Sequence, residues 1–237
     1  MFTKSEISKF LYLDIETACC FPSISELEKG NKRLYDLWRK RDTYYRGAYP
    51  EMKDKGFDEV FKAKAGLEPE FSKIVCISFG SFSEGMEPRL ISFIGGPEDE
   101  LDLLSKAHKV ISNAAAKNWK LCGHNIKGFD IPFIARKLVY NSIKLPHNLE
   151  IWNKKPWEVG VVDTSEIFSF GSWMHQKYLS LDLLSCSLGI ESPKEIMDGS
   201  LVNDAFWVDK DYDKIKTYCE SDVSTVMKII NHITFDL

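Results

Sequence analysis

FLYLDIE, residues 10–16, is the stretch on which the fold turns. Alternation sends Leu11, Leu13 and Ile15 to one side and Tyr12, Asp14 and Glu16 to the other, so the segment reads as a strand. Two carboxylates two residues apart on a strand leave the same face. Ionised carboxylates buried without a partner cost many kcal/mol. Either this face is exposed, which the apolar flanks oppose, or a cation lies against Asp14 and Glu16.

Further strands flank that reading. KIVCISFGSF (73–82) and PRLISFIG (88–95) are strong strands, and the SEGMEP linker between them predicts a hairpin. Residues 98–118 read as a helix, KLCGHN (120–125) as a short buried strand, and about 130–141 as a helix with Pro132 in its first turn. VGVVDTSEIF (159–168) begins as a strand. SLDLLSCSLGI (180–190) reads as a helix capped by Ser180, and 211–233 as the longest helix. This order predicts an α/β fold, a mixed sheet packed by helices. Residues 17–70 contain helical character around 24–46 but no evident compact core, so they read as an insertion lying against the main body.

Two more carboxylates sit where lone charges are unwelcome. Asp130, in GHNIKGFDIPF, opens a helix after a strand end. It reads as an N-cap, as a metal ligand, or as both, since capping leaves one carboxylate oxygen free. Strand ends and helix starts are also where α/β folds place ligands. Asp222 falls on the apolar stripe Ile215, Cys219, Val226, Ile229 and Ile233 of the last helix. Tyr218 lies one turn before it, so phenol and carboxylate share a face. The pair is either a hydrogen bond at the stripe's edge or a metal ligand beside a water-orienting hydroxyl. Divalent cations account jointly for all four carboxylates, and two-metal sites process phosphodiesters.

The 237 residues fit one large domain, or one domain with an insertion. The net charge of −4 excludes a polybasic chain, but the charge is uneven. Residues 29–64 hold eleven Lys/Arg against six Asp/Glu, leaving −9 for the rest. A basic segment facing an acidic region suits a site that holds cations and guides an anion; a solvated helix face is the alternative. The six cysteines show no CxxC or zinc spacing, and a reducing cytoplasm is the expected compartment. No apolar run has membrane-spanning length, and no membrane role is expected.

In order and placement, Asp14/Glu16, Asp130 and Tyr218-x-x-x-Asp222 resemble the DEDD 3′–5′ exonucleases, whose fold is the DnaQ-like, RNase H-like α/β sheet. The tyrosine four residues before the last aspartate matches the DEDDy branch. PEFSKIVCISFG (69–80), GHNIKGFDIPFI (123–134), LSLDLLSCSLGI (179–190) and DGSLVN (198–203) look like stand-alone exonucleases related to the proofreading domain of family-B DNA polymerases. The resemblance covers about 10–16 and 69–235, and the insertion 17–68 departs from the minimal fold. It implies a mixed sheet whose first three strands are antiparallel, with a partly helical basic insertion after the first strand, all in one domain.

It further implies two metal ions on Asp14, Glu16, Asp130 and Asp222. Oxygen donors without His or Cys suit Mg²⁺ or Mn²⁺. Tyr218 would orient the attacking water, and nucleoside 5′-monophosphates would leave a single-stranded DNA 3′ end. The backbone near Thr17 would contact the terminal 3′-hydroxyl, with Asn125 nearby, and Phe129 would stack on the last base or serve as core. RLYDLWRKRDTYYR (33–46) would track the incoming strand or form a solvated face. Trp152, Trp157, Phe168, Phe170 and Trp173 read as packing. Asp163 and Asp182 read as strand-end and helix-start residues without catalytic roles. A DNA polymerase or another replication or repair protein is an implied partner. Competing readings are an RNA exonuclease of the same chemistry, a non-catalytic nucleic-acid-binding or polymerase-accessory module, and an internally cutting RNase H-like nuclease.

Overall fold

The computed structural model describes residues 2–155, 158–171, 179–192 and 196–234. A short helix, α1 (Lys4–Ile7), precedes strand β1 (Phe10–Cys19). Helices α2 (Ile24–Gly30), α3 (Lys32–Ala48) and α4 (Phe57–Lys64) and a 3₁₀ turn (Ala65–Leu67) fill the insertion. Then come β2 (Ser72–Phe82), β3 (Pro88–Ile94), α5 (Glu100–Ala116), β4 (Lys120–Gly123), α6 (Asp130–Tyr140) and β5 (Val161–Asp163). Helices α7 (Thr164–Ser169), α8 (Leu181–Ser187), α9 (Val202–Asp204) and α10 (Tyr212–His232) complete the chain.

The sheet order is β3-β2-β1-β4-β5. β1 pairs antiparallel with β2, and β2 with β3; β1, β4 and β5 run parallel. This is the mixed sheet with three antiparallel leading strands expected of an RNase H-like fold. The alternation of β1 holds. Leu11, Leu13 and Ile15 enter one core with α5 and α6, while Phe10 and Tyr12 enter another with α10. β1 continues to Cys19, so the insertion leaves the sheet later than residue 17.

A β-bulge interrupts the pairing of β1 with β2. Glu16 faces Cys76 but Thr17 faces Ile74, leaving Val75 extra on β2. Val75 and Cys76 therefore both turn into the cluster under the start of α10. Bulges re-aim side chains beside active sites, and this one lies next to Glu16.

α10 lies on β2 at close range. A methyl group at Gly80 would sit 2.5 Å from Met227 Sδ and 2.8 Å from Val223 Cγ1, so the helix reaches the sheet only over a glycine. The apolar stripe of α10 divides into two clusters. Ile215 and Cys219 join one; Val223, Val226, Met227 and Ile230 join the other. Asp222 lies between them.

The insertion differs from expectation, because it has a core of its own. Leu27, Trp38, Tyr45, Met52, Val60, Phe61 and Ala65 pack with Cys19 and Phe71. Trp38 is fully buried, its ring centre 5.2 Å from Phe61 and 5.1 Å from Phe71. These residues are spread thinly over several short helical pieces, so no single window carries the signal. Part of the basic run serves this unit internally. Arg41 makes a bidentate pair with Glu68, Nη2 to Oε1 at 2.6 Å, and Arg46 holds Asp42 at 2.7 Å. Arg33, Arg39 and Lys40 are exposed and make no ion pair among the described residues.

Of the second aromatic group, expected to pack, two of the three described members are mostly exposed, though Phe168 and Phe170 meet edge-on at 6.3 Å. Trp152 is 60% and Phe170 77% exposed, and only Phe168 packs against the α10 core. Trp157 and Trp173 lie outside the described residues.

Candidate active site

A cleft of about 410 Å³ opens beside the middle of β1 and just past the end of β4. Asp14, Glu16, Asp130, Tyr218 and Asp222 all line it, together with Thr17, Asn125 and Phe129. All eight residues singled out in the sequence thus come to one place, from β1, from the turn before α6 and the start of that helix, and from α10. Glu16, Asp130, Tyr218 and Asp222 are buried, and Asp14 is partly buried. Ligand atoms of Asp14, Glu16 and Cys219 all lie within 4.8 Å of one another.

Asp130 is not an N-cap. Phe129 holds that position, and Asp130 Oδ1 instead accepts the Ile15 amide at 3.1 Å. The bond ties the start of α6 to β1 between Asp14 and Glu16. α6 begins here because the preceding loop closes tightly: the Gly128 and Phe129 amides both donate to the Asn125 carbonyl at 3.0 Å. Asn125 adopts a left-handed conformation (φ 53°), which asparagine tolerates. Asp163 organises the same loop, accepting the amides of Asn125 (2.9 Å), Lys127 (3.1 Å) and Ser165 (2.9 Å). That matches its reading as a strand-end residue. Asp182 starts α8 as expected and accepts from Ser192, but it also lines the cleft.

Thr17 Oγ1 donates to the Gly66 carbonyl at 2.7 Å. Its side chain therefore anchors the end of the insertion, which sets Leu67 on the cleft wall, 54% exposed. Phe129 is partly buried: it packs against the α6 core, 5.2 Å from Phe133, and also lines the cleft. Leu67, His124, Ser180, Leu181, Asp182 and Gly199 also line the cleft. None was given a place in the site from the sequence, Ser180 and Asp182 being read only as helix-start residues, although GHNIKGFDIPFI, LSLDLLSCSLGI and DGSLVN contain five of them. Leu67 had no local signal, since only folding of the insertion brings it there.

The electrostatics are strained in one direction. Burial raises the Asp14 carboxyl well above its usual range, and Asp222, Asp130 and Glu16 push it further. Burial does the same to Glu16, helped by Asp222, and to Asp130 despite its amide bonds. Burial also raises the Tyr218 phenol, assisted by Asp222, Glu16 and Asp14, so it stays protonated and acts as a donor. Burial lowers the His124 imidazole, whose Nε2 lies 2.7 Å from the Leu179 carbonyl. Buried, mutually repelling oxygen donors fit divalent cations, which would relieve both desolvation and repulsion.

A stability prediction follows. Carboxyls whose folded pKa is raised bind more protons folded than unfolded. Their contribution is fully favourable only below the ordinary values near 4, and is lost as pH rises through the folded values. The metal-free protein is therefore expected to lose thermal stability as pH rises above about 4, until those values are passed. Asp222→Asn should flatten that slope and raise the neutral-pH midpoint. Saturating Mg²⁺ or Mn²⁺ should stabilise the wild type by about 3 kcal/mol at a hundredfold excess over Kd. Thermal melts across pH, with and without metal, check both points.

A mixed five-stranded sheet with an acidic cleft beside its central strand is the arrangement expected from the resemblance to the DEDD exonucleases. Residues 66–229 match the family described as predicted 3′–5′ exonucleases related to the exonuclease domain of PolB, and the chain belongs to that family. The activity described for that family is that of a 3′–5′ exonuclease, a hydrolase. The match includes Asp130, Tyr218 and Asp222, while Asp14 and Glu16 precede it. No curated protein matches the chain. Among solved structures, Escherichia coli Exonuclease I in complex with a dT13 oligonucleotide is similar at 9% identity and a TM-score of 0.44. The similarity covers 93% of this chain and 40% of that one.

Proposed function

We propose that residues 1–237 act as one exonuclease domain that shortens single-stranded DNA from its 3′ end and releases nucleoside 5′-monophosphates. The observation that carries this reading is the convergence of four carboxylates and one tyrosine on one cleft. Asp14, Glu16 and Asp222 would hold one divalent ion, Mg²⁺ or Mn²⁺, and Asp14 and Asp130 a second. When bound, the metal pair supplies a nucleophilic water at neutral pH and stabilises charge on the leaving 3′ oxygen. Tyr218, held protonated by its surroundings, donates toward that water and orients it. Phe129 and Leu67 offer apolar surface to the terminal base, and the backbone at Thr17 faces the 3′-hydroxyl.

Leu67 of the insertion lies on the cleft wall, and its exposed Arg33, Arg39 and Lys40 would be available to the phosphate backbone of a longer strand. Among the described residues no helix is long and apolar enough to cross a membrane. All six cysteines are free, which supports a reducing, cytoplasmic setting. A role beside a DNA polymerase or in repair accords with the family.

Tyr218→Phe is expected to lower turnover about 10²-fold while leaving metal affinity unchanged. Single-turnover digestion together with metal titration checks this. Digestion of 5′-labelled DNA and RNA oligonucleotides of one sequence, beside a circular single strand, tests the substrate. Faster loss of linear DNA with an intact circle is expected. Faster loss of RNA would replace DNA as the substrate, and a cut circle would overturn exonucleolytic action.

A further inference from the structure

A second cavity, of about 260 Å³, opens away from the catalytic cleft, at the start of β1 and on the opposite sheet face. Its lining is mostly apolar, formed by Leu11 and Phe79 on the sheet, Ile91 on β3, Val110 on α5 and Trp119, with Ser81 and Asn113 also present. Two cations stand at it. Arg89 lies at the start of β3, and Lys117 follows α5, its Nζ 5.2 Å from the Trp119 ring centre. Neither makes an ion pair among the described residues, and no carboxylate lines the cavity. That is unexpected on a chain with net charge −4. β3 is also the edge of the sheet, with Leu90 42% and Ile91 49% exposed.

These features define a ligand by complementarity. The volume is below the 300–1,000 Å³ typical of small-molecule sites and suits one bulky apolar side chain. The flanking cations call for carboxylates on either side of that side chain. A free strand edge is a surface on which an extended peptide can lie. A nucleic-acid strand would need a longer track of cations. We propose that the groove between β3 and α5 is a docking site for an acidic peptide segment of another protein. One leucine or phenylalanine of that segment would fill the cavity, with aspartates or glutamates on Arg89 and Lys117. The site would tether the enzyme to a partner without touching the catalytic cleft.

The test is fluorescence anisotropy with a labelled Asp-Asp-Leu-Phe-Asp-Asp peptide and the full chain at low salt. Saturable binding is expected, weakened about tenfold in each of Arg89→Glu and Lys117→Glu. The same peptide with alanines in the centre, or with lysines as flanks, should bind at least as weakly. Both variants lie on the surface, should melt like the wild type, and should keep full nuclease activity. The proposal fails if the wild type shows no saturable binding, or if either variant binds like the wild type. It fails equally if the variants lose affinity for oligonucleotide, which would make the groove part of a nucleic-acid path.

Discussion

Asp14→Asn and Asp222→Asn are each expected to lower exonuclease turnover by a factor on the order of 10³ or more. Neither change should unfold the protein. Asp14 on β1 and Asp222 on α10 both line the cleft, and Asp222 adds to the burial that raises the proton affinity of Asp14. An amide of the same shape removes one ligand charge and one source of repulsion together. Catalysis and stability should therefore move in opposite directions: turnover falls while the metal-free melting temperature rises. A purely structural Tyr218–Asp222 pair would behave otherwise, losing stability with the carboxylate. Turnover and melting temperature measured on the same preparations separate the two accounts.

The second large effect concerns the insertion. Trp38→Ala should destabilise the protein by about 3–5 kcal/mol, the usual cost of deleting a large buried aromatic side chain. Trp38 is fully enclosed by Tyr45, Phe61 and Phe71, and Phe71 leads directly into β2. Trp38→Phe should cost less, because it keeps most of the ring contact and removes an indole N–H without a hydrogen-bond partner. The Gly66 carbonyl holds Thr17 and Glu68 holds Arg41, so loosening this core also loosens Leu67 on the cleft wall. Chemical denaturation gives the energies, and KM for an oligonucleotide reports the wall.

The sheet was legible in the sequence because its signals are local. β1 alternates over seven residues, the β2–β3 hairpin carries its own turn residues, and α10 shows a continuous stripe. The site was legible where a charge interrupts such a pattern, as Asp14 and Glu16 do in β1 and Asp222 does in α10. Asp130 was harder, since a carboxylate at a helix start has a local explanation. Only the bond from Ile15, 115 residues away in sequence, shows that its acceptor is spent on β1. The bulge at Val75 leaves no trace in alternation alone, because it depends on the partner strand. The insertion core and Leu67 escaped for a related reason. Their contacts join short helices whose separate periodicities are too brief to read.

The most direct test of the central claim is incubation of the wild type with a 5′-labelled single-stranded DNA oligonucleotide and Mg²⁺ or Mn²⁺. A ladder shortening from the 3′ end, abolished by chelation and restored by added metal, is the predicted result. Full-length DNA surviving at saturating metal, or degradation that persists through chelation, would contradict the account.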